Sequence, residues 1–252
     1  MTPEWQNLRA ELAAWRAAGQ HPSVWWRDDD AVEPSHALDR LERLSEAFEV
    51  PIYLAVIPRQ AGPAIAERVA SAHKTLVPVV HGWAHANHAP DGCKKAEFGH
   101  PRRDAEADLH AGLKKLRGLF GARLLPLFVP PWNRFDLSLS TPLARLGYCG
   151  ISAFGTEPRE EALPFLNTHI DPIDWHGTRS LASPDLLLAS LVELLQERRA
   201  LCSNAPIGLL THHLVQDEAI WSFAQTVFSE LLEGGALAAP LPALLEPPHE
   251  QT

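Results

Sequence analysis

Two histidines four residues apart, His81 and His85 in the run HGWAH, can present two imidazole nitrogens to one metal ion. If the run is helical, this spacing puts both rings on one face of a turn. On its own such a pair is more often two surface histidines. A second run changes its weight: Arg27-Asp28-Asp29-Asp30. Three adjacent carboxylates repel one another, so a run like this is ordinarily a solvated loop. Here it follows two tryptophans, and a bound cation would relieve the repulsion. One carboxylate on the ion and another acting as a base would use the run fully. In an extended chain, alternation would place Asp28 and Asp30 on one side and Arg27 and Asp29 on the other. The chemistry these residue types support together is that of a divalent ion held beside a carboxylate base.

Such residues must be brought to one place by the elements that carry them. Short apolar runs recur along the chain: SVWW, PIYLAVI, TLVPVV, LLPLFV, a weaker YCGISAF, FLNTHI, PIGLL and a last ALAAPL. Between them lie stretches with helical spacing, such as SHALDRLERLSEAF, where Leu38, Leu41, Leu44 and Phe48 share a face. Continuous apolar strands separated by amphipathic helices predict a parallel sheet covered on its outside. The fold class is therefore α/β, a distorted parallel (β/α) barrel of about seven strands, with a doubly wound open sheet as the alternative. Residues 1–20, with Trp5, Leu8, Leu12 and Trp15 at helical spacing and Gly19 after them, add an N-terminal helix packed on the barrel. No repeat or long linker interrupts the chain, which reads as one domain over 1–252.

In parallel barrels the active site lies at the carboxyl ends of the strands. SVWW leads into the acidic run, TLVPVV into His81, FLNT into His169 and Asp171, and PIGLL into Thr211-His212-His213. LLPLFV ends in Pro130-Pro131-Trp132-Asn133. Parallel strands would converge all five ends on one rim. His88 extends the histidine cluster as a solvated or outer-sphere residue, and Cys93 is a minor candidate for an accessory ligand.

The 22 basic residues against 31 acidic give a formal net charge of −9, which disfavours phosphate backbones and anionic lipid as partners. No apolar run approaches a membrane span, and LLLASLVELL is broken by Glu193. The opening MTPEWQNLRAEL has early acids and no apolar signal region, and the three cysteines are few and scattered. A cytoplasmic protein with reduced thiols, and with no nucleic acid or membrane as partner, is expected.

The motifs resemble, in order, those of the polysaccharide deacetylase family, carbohydrate esterase family four, and span Arg27 to His212. Laying the family's paired aspartates on Asp29 and Asp30 implies Asp29 as general base and Asp30 as metal ligand, though Asp28 leaves the register open by one residue. His81-Gly82-Trp83-Ala84-His85 stands for the family's His-Ser/Thr-x-x-His and implies the other two ligands. The third motif, normally carrying an arginine that tethers the base, has Val129 there instead; Arg27 or Arg134 are the residues available to replace it. Asp171-Pro172-Ile173-Asp174-Trp175 resembles the fourth motif and implies Asp174 as the group orienting the acid. Leu210-Thr211-His212 resembles the fifth and implies His212 as general acid. Trp132, Asn133, Trp175 and Arg27 are the substrate-binding candidates, although packing in the core is the commoner role of such tryptophans.

The resemblance implies one divalent metal, zinc first, with nickel, cobalt or manganese as alternatives. The implied reaction removes an acetyl group from an N-acetylated sugar or related small amide, in a small-molecule or oligosaccharide substrate. Hydrolysis of another non-peptide C–N bond and a non-catalytic carbohydrate-binding relative are the competing readings.

Overall fold

The computed structural model describes residues 3–72, 74–156 and 162–245. Seven strands form its centre: β1 (Ser23–Ala31), β2 (Ile52–Val56), β3 (Leu76–His81), β4 (Leu127–Val129), β5 (Gly150–Ile151), β6 (Thr168–Ile170) and β7 (Ile207–Thr211). All are parallel, in the order β5-β4-β3-β2-β1-β7-β6. The sheet curls until its edges meet. Leu166 N–H donates to Ile151 O at 2.9 Å, Thr168 N–H to Ala153 O at 3.1 Å, and Gly155 N–H to Thr168 O at 2.8 Å. The result is a distorted (β/α) barrel, and the open doubly wound alternative is set aside.

Helices α1 (Pro3–Ala17), α2 (His36–Phe48), α3 (Pro63–Ser71), α4 (Ala105–Phe120), α5 (Ser140–Leu146), α6 (Pro184–Ala200) and α7 (Glu218–Glu233) surround the wall. Several start where side chains cap them. Ser35 Oγ accepts from Leu38 N–H, and Asp217 Oδ1 from Ile220 N–H, each at 3.0 Å, satisfying donors that no earlier turn can reach. Helix α1 docks on α6 as its apolar stripe requires: Leu8, Leu12 and Trp15 are buried, and Trp15 Nε1 donates to Leu195 O at 3.1 Å. No helix among the described residues is long and apolar enough to cross a membrane.

Strand alternation explains where the core ends and the chemistry begins. Outward residues of β1, Val24 and Trp26, pack under the helices, with Trp26 stacked on Phe228 of α7 at 4.3 Å. The inward Trp25 joins Tyr53, Val79 and Leu127 inside the barrel. The last apolar run does not continue as a strand. It gives the two-residue β8 (Leu237–Ala238) beside β1, then α8 (Leu241–Leu245), whose Leu241 and Leu245 join the same interior cluster. Rising along the inward face, β1 passes from Trp25 to Arg27 to Asp29, and β3 from Val79 to His81. The interior is therefore apolar toward the start of the strands and polar at their carboxyl ends.

Candidate metal centre

Strand β1 does not stop at the tryptophans; it runs through all three aspartates. Between Asp28 and Ala31 its register against β2 shifts, and Asp30 takes the left-handed conformation with φ 73°. Simple alternation would send Asp30 outward with Asp28. The irregularity instead turns its carboxyl toward β3, a use of a bulge to re-aim one side chain. Asp30 Oδ1 lies 3.1 Å from His81 Nε2 and 3.2 Å from His85 Nε2. One ligand atom from each of the three residues falls within 4.8 Å of the others, the arrangement that a single divalent ion would need.

The groups around these three fit the same use. His81 ends β3 and is buried, with Nδ1 3.1 Å from Val129 O; a proton held there leaves Nε2 with its lone pair toward the site. His85 does not share a helical turn with His81. Residues 82–90 form no helix, and His85 has φ 54°, so the pair converges through a tight irregular loop instead. The His85 ring packs against Trp132 with centroids 4.2 Å apart. Burial pushes the Asp30 carboxyl up, yet the hydrogen bond from His81 and the charges of His81, His212 and His85 outweigh it and hold Asp30 below the ordinary carboxylate range. Burial lowers His81, but Asp30 and Asp29 reverse the sign and raise it; His85, desolvated and facing His81, is lowered. Two imidazoles compete for one carboxylate, the electrostatics of a site that accepts positive charge.

Asp29 faces into the barrel beside this set. Arg27 Nε–H donates to its Oδ1 at 2.9 Å and Arg27 Nη2 to its Oδ2 at 3.0 Å, a bidentate pair between residues on the same face of one strand. The guanidinium then crosses to the opposite edge, donating from Nη1 to Ser152 O at 2.9 Å and Ser152 Oγ at 2.6 Å, and from Nη2 to Asn133 Oδ1. One substrate-binding expectation, Arg27, is corrected here. Arg27 is wholly buried with its donors engaged, so it holds Asp29 instead of meeting a substrate. Asn133 spends its side-chain oxygen on Arg27. Of the two arginines available beside Val129, it is Arg27 that reaches Asp29; Arg134 points elsewhere, to Lys95 O.

His212 follows β7 and is buried beside Trp175, whose ring meets it edge-on at 4.8 Å. Its Nδ1 has no hydrogen-bond partner among the described residues. Asp174 is not its orienting group: Asp174 Oδ1 accepts from Gly177 N–H at 3.0 Å and Oδ2 from Thr178 N–H at 3.1 Å, so it closes a turn. The carboxyl that faces His212 electrostatically belongs to Asp171. Burial pushes Asp171 up against the opposing charge of His212, and Trp175 Nε1 donates to Asp171 Oδ2 at 2.7 Å. Of the two acids in this run, Asp171 and not Asp174 lies within electrostatic reach of His212.

Other candidates lie off the site. Asp28 faces the outside of the wall, where it accepts from Thr211 Oγ1 at 2.6 Å and His213 N–H at 3.0 Å and pairs with His213 Nδ1. That bond set staples Asp28 of β1 to the end of β7, and the residues that follow these two are Asp29 and His212. His88 and Cys93 are exposed and belong to no metal-binding group among the described residues. His169 lies within β6, its Nδ1 accepting from Gly208 N–H at 3.1 Å. Burial and the Arg198 charge lower it from 6.5 to about 4. A histidine depressed on folding contributes stability that is complete above its unfolded value and lost as pH falls. Stability is expected to decline from about pH 6.5 toward pH 4, and His169→Asn to flatten that slope in urea titrations at several pH values.

One contributor had no sequence signal. Glu97, twelve residues beyond His85, is buried and accepts backbone N–H bonds from Trp83, Ala84, His85 and Ala86. It shapes the loop that carries the third ligand.

The chain has the fold of the polysaccharide deacetylases of carbohydrate esterase family four. Among solved structures, a peptidoglycan N-acetylglucosamine deacetylase is 16% identical, with TM-score 0.57 over 88% of this chain and 87% of that one. A family 4 acetyl xylan esterase from Clostridium thermocellum, in complex with a cobalt ion, is 13% identical with TM-score 0.51 over 88% and 89%. A pseudoenzyme of the family from Bacillus anthracis is 14% identical with TM-score 0.54 over 90% of this chain and 66% of that one. No family model and no curated protein matches the chain in sequence.

Proposed function

We propose that this protein is a metal-dependent deacetylase that removes the acetyl group from an N-acetylated sugar or related small amide. The observation that carries this reading is the juxtaposition of Asp30, His81 and His85 with an Asp29 braced by Arg27. The first three would hold a divalent ion. When bound at a site with open positions, such an ion lowers the pKa of water and polarises a carbonyl.

The chain's own groups divide the remaining work. Asp29, held by two charge-assisted bonds, takes the proton of the attacking water while its orientation stays fixed. His212 gives a proton to the departing nitrogen, since an amine leaves poorly as an anion. Asp171 lies within electrostatic reach of His212 and is held by the Trp175 indole beside it. Trp175 and Trp132 flank the acid and the His85 ring as apolar surfaces for a sugar face or an acetyl methyl. A peptidoglycan N-acetylglucosamine deacetylase and a cobalt-containing esterase of the same fold support the substrate class and the metal. A non-catalytic relative would have no use for a tethered base, and in this chain Arg27 holds Asp29.

The test is metal content by elemental mass spectrometry, then acetate release from N-acetylated sugars with small cyclic amides as comparison. The wild type is expected to carry about one divalent ion per chain and His81→Ala none, with activity lost alongside. No metal in the wild type after incubation with zinc, nickel and cobalt would overturn the reading. His212→Ala is expected to keep the metal and slow turnover by about 100- to 10,000-fold, most for the poorest leaving groups.

A further inference from the structure

Resting on the metal-site reading above, we propose that Glu97 is a positioning residue that sets His85 in its ligating pose before any ion binds. Of the three ligands, His85 has the least secondary structure to hold it. His81 closes β3 and Asp30 lies within β1, but His85 sits in irregular chain with a left-handed backbone. Something must hold that conformation, which costs a non-glycine residue about 1–3 kcal/mol.

The Glu97 carboxyl does so through four backbone donors. Its Oε2 accepts from Trp83 N–H at 3.1 Å and His85 N–H at 3.2 Å, and its Oε1 from Ala84 N–H at 2.8 Å and Ala86 N–H at 3.4 Å. Successive N–H groups turned to one side form a concavity that receives an anion. In this chain the anion is internal. The arrangement also explains Gly82, which stands where the family motif has serine or threonine. Gly82 has φ 55°, and a Cβ there would come within 2.3 Å of Glu97 Oε2 and 2.6 Å of Pro131 Cδ. Only glycine admits the carboxyl so close to the backbone.

Glu97 is itself mounted on the core. Its neighbours Ala96 and Phe98 are buried, and Phe98 meets Phe128 of β4 edge-on at 5.3 Å. Arg102 lies over the Phe98 ring at 5.0 Å and donates from Nε to Glu97 O at 3.3 Å. The chain of support thus runs from β4 through Phe98 and Glu97 to the backbone of His85, while Trp132 limits the imidazole from its other side. An ion arriving at this site meets a third ligand whose ordering is already complete, and preorganisation of this kind raises affinity. Glu97 acts through His85 and does not touch the ion.

The experiment measures zinc affinity by chelator competition for wild type, Glu97→Gln, His85→Ala and the double variant, together with amide exchange of the metal-free proteins. Glu97→Gln, which sets an amide N–H2 against donors, is expected to weaken zinc about 10- to 100-fold. In the His85→Ala background the same change is expected to add less than about twofold, since the two act as one unit. Exchange at the Trp83–Ala86 amides is expected to accelerate in Glu97→Gln while the β2 amides stay protected. An equal loss of affinity in both backgrounds, or unchanged loop exchange, would overturn the proposal. Should Glu97→Gln fail to fold, Glu97→Asp keeps the charge but is too short to reach all four donors, and the same affinity and exchange criteria apply. Wild-type protein that binds no zinc overturns the metal-site reading and this proposal together; intact wild-type binding with an insensitive Glu97 overturns only this one.

Discussion

Asp29→Asn is expected to retain the metal and lose about 100- to 10,000-fold in kcat, the range for removing a positioned general base. The amide is nearly isosteric and can still accept one hydrogen bond from Arg27, so the fold should tolerate it. It cannot take the proton of the attacking water, and its N–H2 opposes one arm of the guanidinium. Metal content measured beside acetate release separates the roles: His81→Ala should lose both, Asp29→Asn only the second. Full activity in Asp29→Asn would move the base to another carboxyl. Asp28 is a poor replacement, because it faces outward and is held by Thr211 and His213.

The second large effect concerns the tether. Arg27→Met keeps much of the side-chain volume but leaves Asp29 buried without its counter-charge, and strips donors from Ser152 and Asn133. Breaking one side of a buried ion pair costs about 3–5 kcal/mol. For a chain of this size that lowers Tm by on the order of 10 °C. Arg27→Lys should fall between, because one ammonium cannot span a carboxylate and a carbonyl on the opposite edge at once. Thermal denaturation followed by circular dichroism reads both variants. A wild-type Tm in Arg27→Met would show that the pair contributes nothing to the fold. The double variant Arg27→Met/Asp29→Leu, which removes both charges, should recover much of the loss.

Much of the architecture was legible because it rests on periodicity. Strands buried on both faces are continuous apolar runs, and helices show a stripe, so the barrel and its N-terminal helix followed from pattern. Asp30, His81 and Asp29 were legible because they close such runs, and a parallel barrel brings run ends to one rim. What escaped depends on geometry that only the closed barrel provides. Whether Arg27 meets a substrate or a carboxylate turns on how far β1 stays extended and on what the edge near Ser152 offers across the interior. Asp171 and Asp174 share one short run, and nothing in their spacing says which turns inward and which closes a turn on Gly177 and Thr178. The HGWAH spacing suggested a helical turn, but Gly82 and His85 both adopt left-handed conformations, and spacing carries no record of that. Glu97 lies in irregular chain, where no periodicity marks it.

The bidentate brace between Arg27 and Asp29 lies within a single strand, two residues apart. A tether reaching in from a neighbouring loop would make the orientation of the base hostage to every insertion or deletion in that loop. Here the pleat of β1 sets it instead. The segment after β4 is thereby released from contacting Asp29 and meets the brace only through Asn133 Oδ1, so changes beyond Asn133 are expected to leave the Arg27–Asp29 geometry intact.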